Sequence, residues 1–190
     1  TTRMADIAIN NLSKGIDVLF TKDEKVIEEI YETEKSVNFL NEQITNYLVK
    51  ANQLSLPVED RKLLGGLFHV VNDIERIGDH AKNIADSAVL RKERGIKFSD
   101  ESFNELREMM ELINENVHLC IEVFAHHKEE LLPRIEELED KVDVMERQVQ
   151  QAHIDRLKRN ECTPDAGMLF SDIVSGLERV SDHAVNIAYS

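Results

Sequence analysis

The sequence predicts an all-α fold of six helices that form two pseudo-symmetric three-helix bundles. Its 190 residues include only 3 Pro and 7 Gly, no Trp and 5% aromatic residues, a composition that favours long helices over many short strands. Apolar residues recur at intervals of three and four positions, as on the buried face of a helix. A polar sequence motif at residues 75–83, called the phrase below, occurs again at residues 178–186. This recurrence indicates that one structural unit occurs twice.

Three helices account for the first half of the chain. The first runs from Met4 to about Phe20, and Asp23 is a candidate N-cap for the second, which continues to about Leu54. Pro57 interrupts the pattern and suits the first turn of a third helix, because a residue there needs no amide hydrogen. The polar phrase lies in this third helix.

Three more helices are predicted in the second half. Ser99 is placed to begin the fourth helix, and the fifth covers about Leu131 to Lys158. Thr163 followed by Pro164 is a strong start signal for the sixth helix, which carries the second copy of the phrase.

A short basic connector separates the two halves. We therefore expect one repeat over residues 1–94 and a second over residues 95–190. The connector is expected to be a solvated turn, or else a surface for an acidic loop or an anionic lipid. Its basic residues are Arg91, Lys92, Arg94 and Lys97.

The repeated phrase is polar, although a duplicated core would need only its apolar positions. Its second copy follows the first at a constant distance of 103 positions, since 178 − 75 and 182 − 79 are equal. This recurrence points to a duplicated site. The copies read Glu75-Arg76-Ile77-Gly78-Asp79-His80 and Glu178-Arg179-Val180-Ser181-Asp182-His183, followed by Asn83 and Asn186.

The second helix of each half repeats more weakly. Glu34 and Asn38 align with Glu139 and Asp143 at a distance of 105 positions. If the second and third helices form an antiparallel hairpin, as do the fifth and sixth, these side chains lie level with the polar phrase. We therefore expect carboxylates from neighbouring helices to converge in each half.

Converging carboxylates favour a cation site. Acids at positions i and i+4 repel each other, and a bound cation would reverse this cost. Oxygen ligands suit magnesium, calcium, manganese or iron. An alternative is that Arg76 and Arg179 form surface ion pairs with Asp79 and Asp182.

The two histidines of the phrase point elsewhere. His80 and His183 lie about 140° around their helices from the first carboxylate, so interhelical hydrogen bonding or capping of a neighbouring helix is favoured over metal binding. A Glu115-x-x-His118 pair has the spacing of di-iron bundles, but those sites need it on two helices. The auxiliary ligand candidates are Asn38, Asn83, Asn186, His80 and His183.

Charge and composition exclude several classes of protein. With 23 Lys and Arg against 37 Asp and Glu, the net charge of −14 argues against nucleic-acid binding. No apolar run approaches the roughly 20 residues of a membrane helix. Cys120 and Cys162 are far apart and expected to be reduced.

No group of residues typical of a catalytic nucleophile and no glycine-rich phosphate loop is present, so we expect no catalytic residues and no enzymatic activity.

The two phrases resemble the paired signatures of the PhoU family, over essentially the whole chain. The resemblance implies two pseudo-symmetric three-helix bundles and a regulator of phosphate uptake with multinuclear iron or other metal sites. Zinc, manganese and magnesium are further candidates. The implied ligands are Glu75, Asp79, Glu178, Asp182, Glu34, Glu139 and Asp143. Asn38 departs from the acid expected at its position, which leaves the first site one negative charge short.

The resemblance extends to PhoU-like tails behind the membrane domains of sodium/phosphate cotransporters. It implies a cytoplasmic module at the inner face of the membrane, with a phosphate transporter as partner. A free-standing regulator would act on an ABC-type phosphate transporter and a sensor kinase, and a homodimer is a further expectation. The competing classes are a carboxylate-bridged metalloenzyme bundle and a purely structural oligomerising bundle.

Overall fold

Six long α-helices make up the computed structural model, which describes residues 1–190. A 3-10 turn, Glu129–Leu131, precedes the fifth helix, and the all-α prediction is confirmed. No helix combines the length and the apolar character that crossing a membrane requires. The helices are α1 (Thr2–Thr21), α2 (Glu24–Asn52), α3 (Val58–Arg94), α4 (Asp100–His126), α5 (Leu132–Lys158) and α6 (Pro164–Ala188).

Side-chain caps fix three of the helix starts that the sequence indicated. Asp23 accepts a hydrogen bond from the Lys25 amide at 2.9 Å, and Thr163 accepts one from the Ala166 amide at 3.2 Å. Ser99 does the same at the start of α4. Each bond satisfies one of the amides that a helix leaves free in its first turn. Pro57 is the N-cap of α3, so this helix begins one residue later than expected.

The helices pack as two antiparallel three-helix units with α3 and α6 at the centre. Within the units α3 packs on α1 and α2, and α6 packs on α4 and α5; between the units α3 packs on α6 and α1 on α4. One hydrophobic core of 41 buried residues runs through both units. The division at residues 94 and 95 stays a prediction, although Gly95 ends α3 there with a left-handed φ of 63°.

The basic connector is not wholly a solvated turn, which corrects the expectation for Arg91. This side chain is 4% exposed, donates a hydrogen bond to the Leu19 carbonyl at the end of α1, and lies over the rings of Phe98 and Phe103 at 4.6 and 4.9 Å. A charged group can be buried there because the aromatic faces and a free helix-end carbonyl replace water. Lys92, Arg94 and Lys97 are exposed, as expected, although Lys92 and Arg94 lie in the last helical turn of α3 and not in the connector.

Candidate functional site

The first carboxylate cluster lies where α2 packs against α3. Glu34 is 9% exposed, and Glu75 and Asp79 stand one turn apart on α3. Burial raises the pKa of Glu75, with repulsion from Asp79 as the next cause, and burial followed by repulsion from Glu34 raises the pKa of Asp79. Asn38 donates a hydrogen bond to Glu34 Oε1 at 2.7 Å. Both helices therefore contribute to one shared acidic surface.

The second cluster occupies the equivalent face between α5 and α6, and it is more acidic. Burial and then repulsion from Asp182 and Asp143 raise the pKa of Glu139. The pKa of Glu178 rises for the same causes in the same order, with Glu146 adding further repulsion. Burial and Asp143 raise the pKa of Asp182. These carboxylates disfavour one another's charge, which is the condition that a cation would relieve.

Glu146 was not among the residues predicted from the sequence. The signal that would have found it is its alignment with Asn41 at the same distance of 105 positions that relates Asp143 to Asn38. Two acids of the second cluster thus stand where the first half has amides. The exposed Lys82 opposes the charge of Asp79 in the first cluster, and the buried Val185 holds the equivalent position in the second.

The ion-pair interpretation of the phrase is wrong. Arg76 pairs with Asp73, at 3.7 Å, and not with Asp79. Arg179 forms no ion pair within 4.0 Å. Asp73 precedes Arg76 by three positions, so it lies on the same side of α3 and forms the ion pair with the Arg76 guanidinium. The clustered carboxylates are therefore left without a basic partner at ion-pair distance.

The acids of each cluster lie on one surface of the helix pair, but their side chains do not surround a single metal position. No group of three or more His, Cys, Asp or Glu side chains is gathered closely enough to hold a metal ion. The donor set nevertheless fits a hard cation, because it consists of mutually repelling carboxylates that no arginine or lysine neutralises at contact distance. The ligand assignment of Glu34, Glu75, Asp79, Glu139, Asp143, Glu178 and Asp182 stays a prediction.

The histidines of the phrase lie at the crossing of α3 and α6. His183 Nδ1 is 2.9 Å from Asp73 Oδ1, which confirms the expected interhelical hydrogen bond for this copy. The rings of His80 and His183 are 5.9 Å apart, measured between centroids. Burial lowers the pKa of His80 to about 4, helped by His183 and Arg179, so the His80 ring is neutral near pH 7.

Asn83 and Asn186 also lie beside this crossing rather than between two helices of one unit. Each lines a cavity together with the arginine of the opposite phrase. The cavity that joins Arg76 to Asn186 measures about 550 Å³, and the one that joins Arg179 to Asn83 measures about 460 Å³. Sequence reasoning missed this exchange between the copies, and an auxiliary ligand role for either asparagine stays a prediction.

Two other candidate groups are engaged or inert. Glu115 is held by Arg134 at 2.7 Å, so the acid of the Glu115-x-x-His118 pair is already bound to a guanidinium. Both cysteines are free thiols, as expected. Burial raises the pKa of Cys120 to about 12 and also raises that of Cys162, so both are protonated near pH 7.

Known proteins share this sequence pattern over nearly its full length. The family model described as "PhoU domain" matches residues 1–88 and 106–190. A Thermotoga maritima protein named phosphate-specific transport system accessory protein PhoU homolog 1 is 26% identical over 188 residues, covering 98% of this chain and 80% of the relative. A PhoU homologue from Xylella fastidiosa is 25% identical over 189 residues, covering 98% of this chain and 78% of the relative.

Solved structures share the fold. The crystal structure of PhoU from Pseudomonas aeruginosa aligns with a TM-score of 0.90 at 21% identity, covering 98% of this chain and 89% of the other. That of the phosphate transport system regulatory protein PhoU from Streptococcus pneumoniae aligns with a TM-score of 0.85, also at 21% identity, covering 98% and 87%. With a family model matched in both halves and two acidic faces repeated on this fold, the chain belongs to the PhoU domain family.

Proposed function

We propose that this chain is an accessory protein that regulates phosphate uptake by a membrane transporter. The observation that carries the proposal is the match of the PhoU domain model to both halves of the chain. The relatives named for the phosphate-specific transport system support it, because they align with 98% of this chain. The repeated acidic clusters supply the feature through which such a regulator would act.

The regulatory surface in this proposal is a metal-loaded acidic face. The residues that would hold cations are Glu34, Glu75 and Asp79 in the first half and Glu139, Asp143, Glu178 and Asp182 in the second. A bound cation would neutralise the repulsion and present positive charge to an acidic segment of a partner or to phosphate. Iron, zinc, manganese and magnesium remain the candidates, since carboxylate oxygens accept all four.

Regulation without turnover is the form of activity that the chemistry supports. Both thiols are protonated near pH 7, and the acids of raised pKa face other acids rather than a serine or lysine nucleophile. The partner in this proposal is a phosphate transporter, contacted at the cytoplasmic face of the membrane. The chain acts there as the tail of a sodium/phosphate cotransporter or as a separate regulator that also contacts a sensor kinase.

Uptake measurements in cells test the proposal. Deletion of the domain, or the double change Asp79→Asn/Asp182→Asn, is expected to make phosphate uptake insensitive to phosphate supply while transport itself continues. Asp17→Asn/Asp100→Asn is the matched control, because both residues are exposed acids outside the clusters. Uptake that keeps its normal response in the double variant would contradict the role of the clusters. A purified chain that hydrolyses phosphate esters with bound metal would favour the metalloenzyme class.

A further inference from the structure

The second feature that the phrase builds is a pair of cavities on either side of the α3–α6 crossing. They are related by the repeat, because their lining residues correspond at the same distance of 103 positions. In each cavity an arginine from one copy faces an asparagine from the other. The arginine and the asparagine of each copy thus line these cavities, beside the acids of the phrase.

The two cavities differ in whether the arginine is free. Asp73 pairs with Arg76 in the first cavity and also bonds His183. Gly176 holds the equivalent position in the second cavity, so no carboxylate stands three residues before Arg179. Arg179 is exposed to the cavity with all five N–H donors available. This space of about 460 Å³, the Arg179 cavity, has a polar lining that consists of His80, Asn83, Ser87, Asp172, Ser175 and Arg179.

Hydrogen-bond donors converge on the Arg179 cavity without protein partners. The side chains of His80, Asn83 and Arg179 form no hydrogen bond within the chain. Ser175 Oγ accepts a hydrogen bond from Gln150, which leaves its own proton free to be donated. A guanidinium fork with an amide, an imidazole and a hydroxyl is a donor set that matches the oxygens of a tetrahedral oxyanion.

We propose that the Arg179 cavity binds inorganic phosphate, with Arg179 as the main anion ligand and Asn83 completing the site from the other repeat. Asp172 on the cavity wall favours phosphate over sulfate, because a carboxylate can accept the proton that phosphate retains near pH 7 and that sulfate lacks. The choice of phosphate over other protonated oxyanions rests on the function proposed above. The anion site itself does not, and it needs no bound metal.

Occupancy of this site would depend directly on the phosphate concentration, so the regulator could respond to it. Arg179 follows Glu178 directly on α6 and also lines the cavity, so its charge is close to both the second acidic cluster and the cavity. Phosphate that neutralises Arg179 would therefore remove a positive charge from the surroundings of the cluster, which favours cation binding there. Because α3 and α6 both line the cavity, an occupant also bridges the two repeats.

Calorimetric titration of the whole purified chain with inorganic phosphate, in chelator, tests the proposal. One phosphate is expected to bind per chain. Arg179→Gln is expected to weaken binding at least tenfold, whereas Arg76→Gln, the same change in the other cavity, changes it less than twofold. Thermal melting of both variants establishes that they are folded. No saturable binding at millimolar phosphate, or equal losses in the two variants, would overturn the proposal.

Two further titrations distinguish phosphate binding in the Arg179 cavity from phosphate binding at the metal cluster. Sulfate is expected not to compete in the unchanged chain and to compete in Asp172→Asn. Phosphate binding that needs added metal, and that is lost in Glu178→Gln/Asp182→Asn but kept in Arg179→Gln, would place the anion on the metal cluster and overturn the site. Binding to the purified chain is independent of uptake in cells, so failure of this site is distinguishable from failure of the regulatory role.

Discussion

The two repeats keep the same helices but not the same charge. The second repeat presents Asp143 and Glu146 where the first has Asn38 and Asn41. In the first, the Asn38 amide donates a hydrogen bond to Glu34 and adds no negative charge of its own. Duplication therefore preserved the packing, which depends on apolar positions, while the polar face was free to diverge toward one strong and one weak acidic cluster.

The crossing of α3 and α6 shows the same divergence at hydrogen-bond level. Asp73 bonds His183, but its counterpart Gly176 offers nothing to His80. A Cβ on Gly176 would stand 3.4 Å from His80 Nδ1, an ordinary van der Waals distance, so His80 lacks this bond because Gly176 has no side chain and not because room is lacking. One half of the crossing is therefore held by an interhelical bond, and the other keeps its polar groups open to a cavity.

Removal of the stronger cluster is expected to have the largest effect. Glu178→Gln/Asp182→Asn should weaken cation binding by about tenfold or more, and Glu75→Gln/Asp79→Asn should weaken it less, since each carboxylate lost from a dense cluster removes more attraction. Calorimetry with manganese or magnesium measures both variants.

The first cluster can also be given the negative charge of the second. Asn38→Asp/Asn41→Glu gives the first cluster the acids of the second and should raise its affinity for the same cation. Equal losses in the two double variants, or no gain from the added acids, would show that the charge difference between the repeats does not set affinity.

Loss of Asp73 is expected to have the largest effect on stability. Asp73→Ala breaks the bond to His183 and the ion pair to Arg76, and a hydrogen bond to a charged group contributes about 1.5–3 kcal/mol. That corresponds to a fall in Tm of about 3–12 °C for a chain of this size. Thermal melting followed by circular dichroism measures it. Gly176→Ser, at the matched position, should not lower Tm to the same degree, and an equal fall would contradict the asymmetry.

The buried asparagines of α1 and α4 give a smaller contrast. Asn116 donates to Ser181 Oγ at 2.9 Å, whereas its counterpart Asn11 donates to the Ile30 carbonyl at 3.0 Å because Gly78 replaces the serine. Ser181→Ala should cost about 1 kcal/mol, or about 2–4 °C in Tm.

The reciprocal change at Gly78 tests whether a hydroxyl could be added to the first repeat. A Cβ there would lie 3.1 Å from Val37 Cγ1, so Gly78→Ser is expected to lower stability rather than gain the matching hydrogen bond. A variant more stable than the unchanged chain would show that α2 and α3 can separate slightly without cost.

A pH-dependent gain in stability is the smallest expected effect. The native pKa values of Glu178 and Asp182 are raised above 4.5 and 3.8, so the native state binds more protons than the unfolded state in the window just above these values. Their contribution therefore falls as pH rises through the window, and their full repulsion acts at pH 7.

Neutral substitutes should remove this repulsion in the metal-free chain. Glu178→Gln/Asp182→Asn is expected to raise Tm by about 1–2 °C at pH 7, for relief on the order of 0.5 kcal/mol, and to have no effect below pH 4. Glu75→Gln/Asp79→Asn should gain less, because Lys82 already opposes Asp79. A gain that is larger at low pH than at pH 7 would reverse the assigned sign.

The sequence alone determined the helices and the acidic faces. Caps at Asp23, Ser99 and Thr163 are local signals, and the 3.6-residue period with an antiparallel hairpin is enough to bring Asn38 level with Glu75. Such predictions succeed because they involve neighbours along one helix or across one short connection. Alignment of the two halves of the chain is likewise enough to locate the missing acid at Asn38.

The tertiary structure alone decided what happens between the repeats. The bond from His183 to Asp73 joins residues 110 positions apart, and the pairing of Arg179 with Asn83 depends on how α3 crosses α6. The burial of Arg91 likewise required α1 to supply a carbonyl and α4 to supply the ring of Phe103. No periodicity encodes these contacts, because a helix face fixes which residues point toward a neighbour but not which residues of that neighbour they meet.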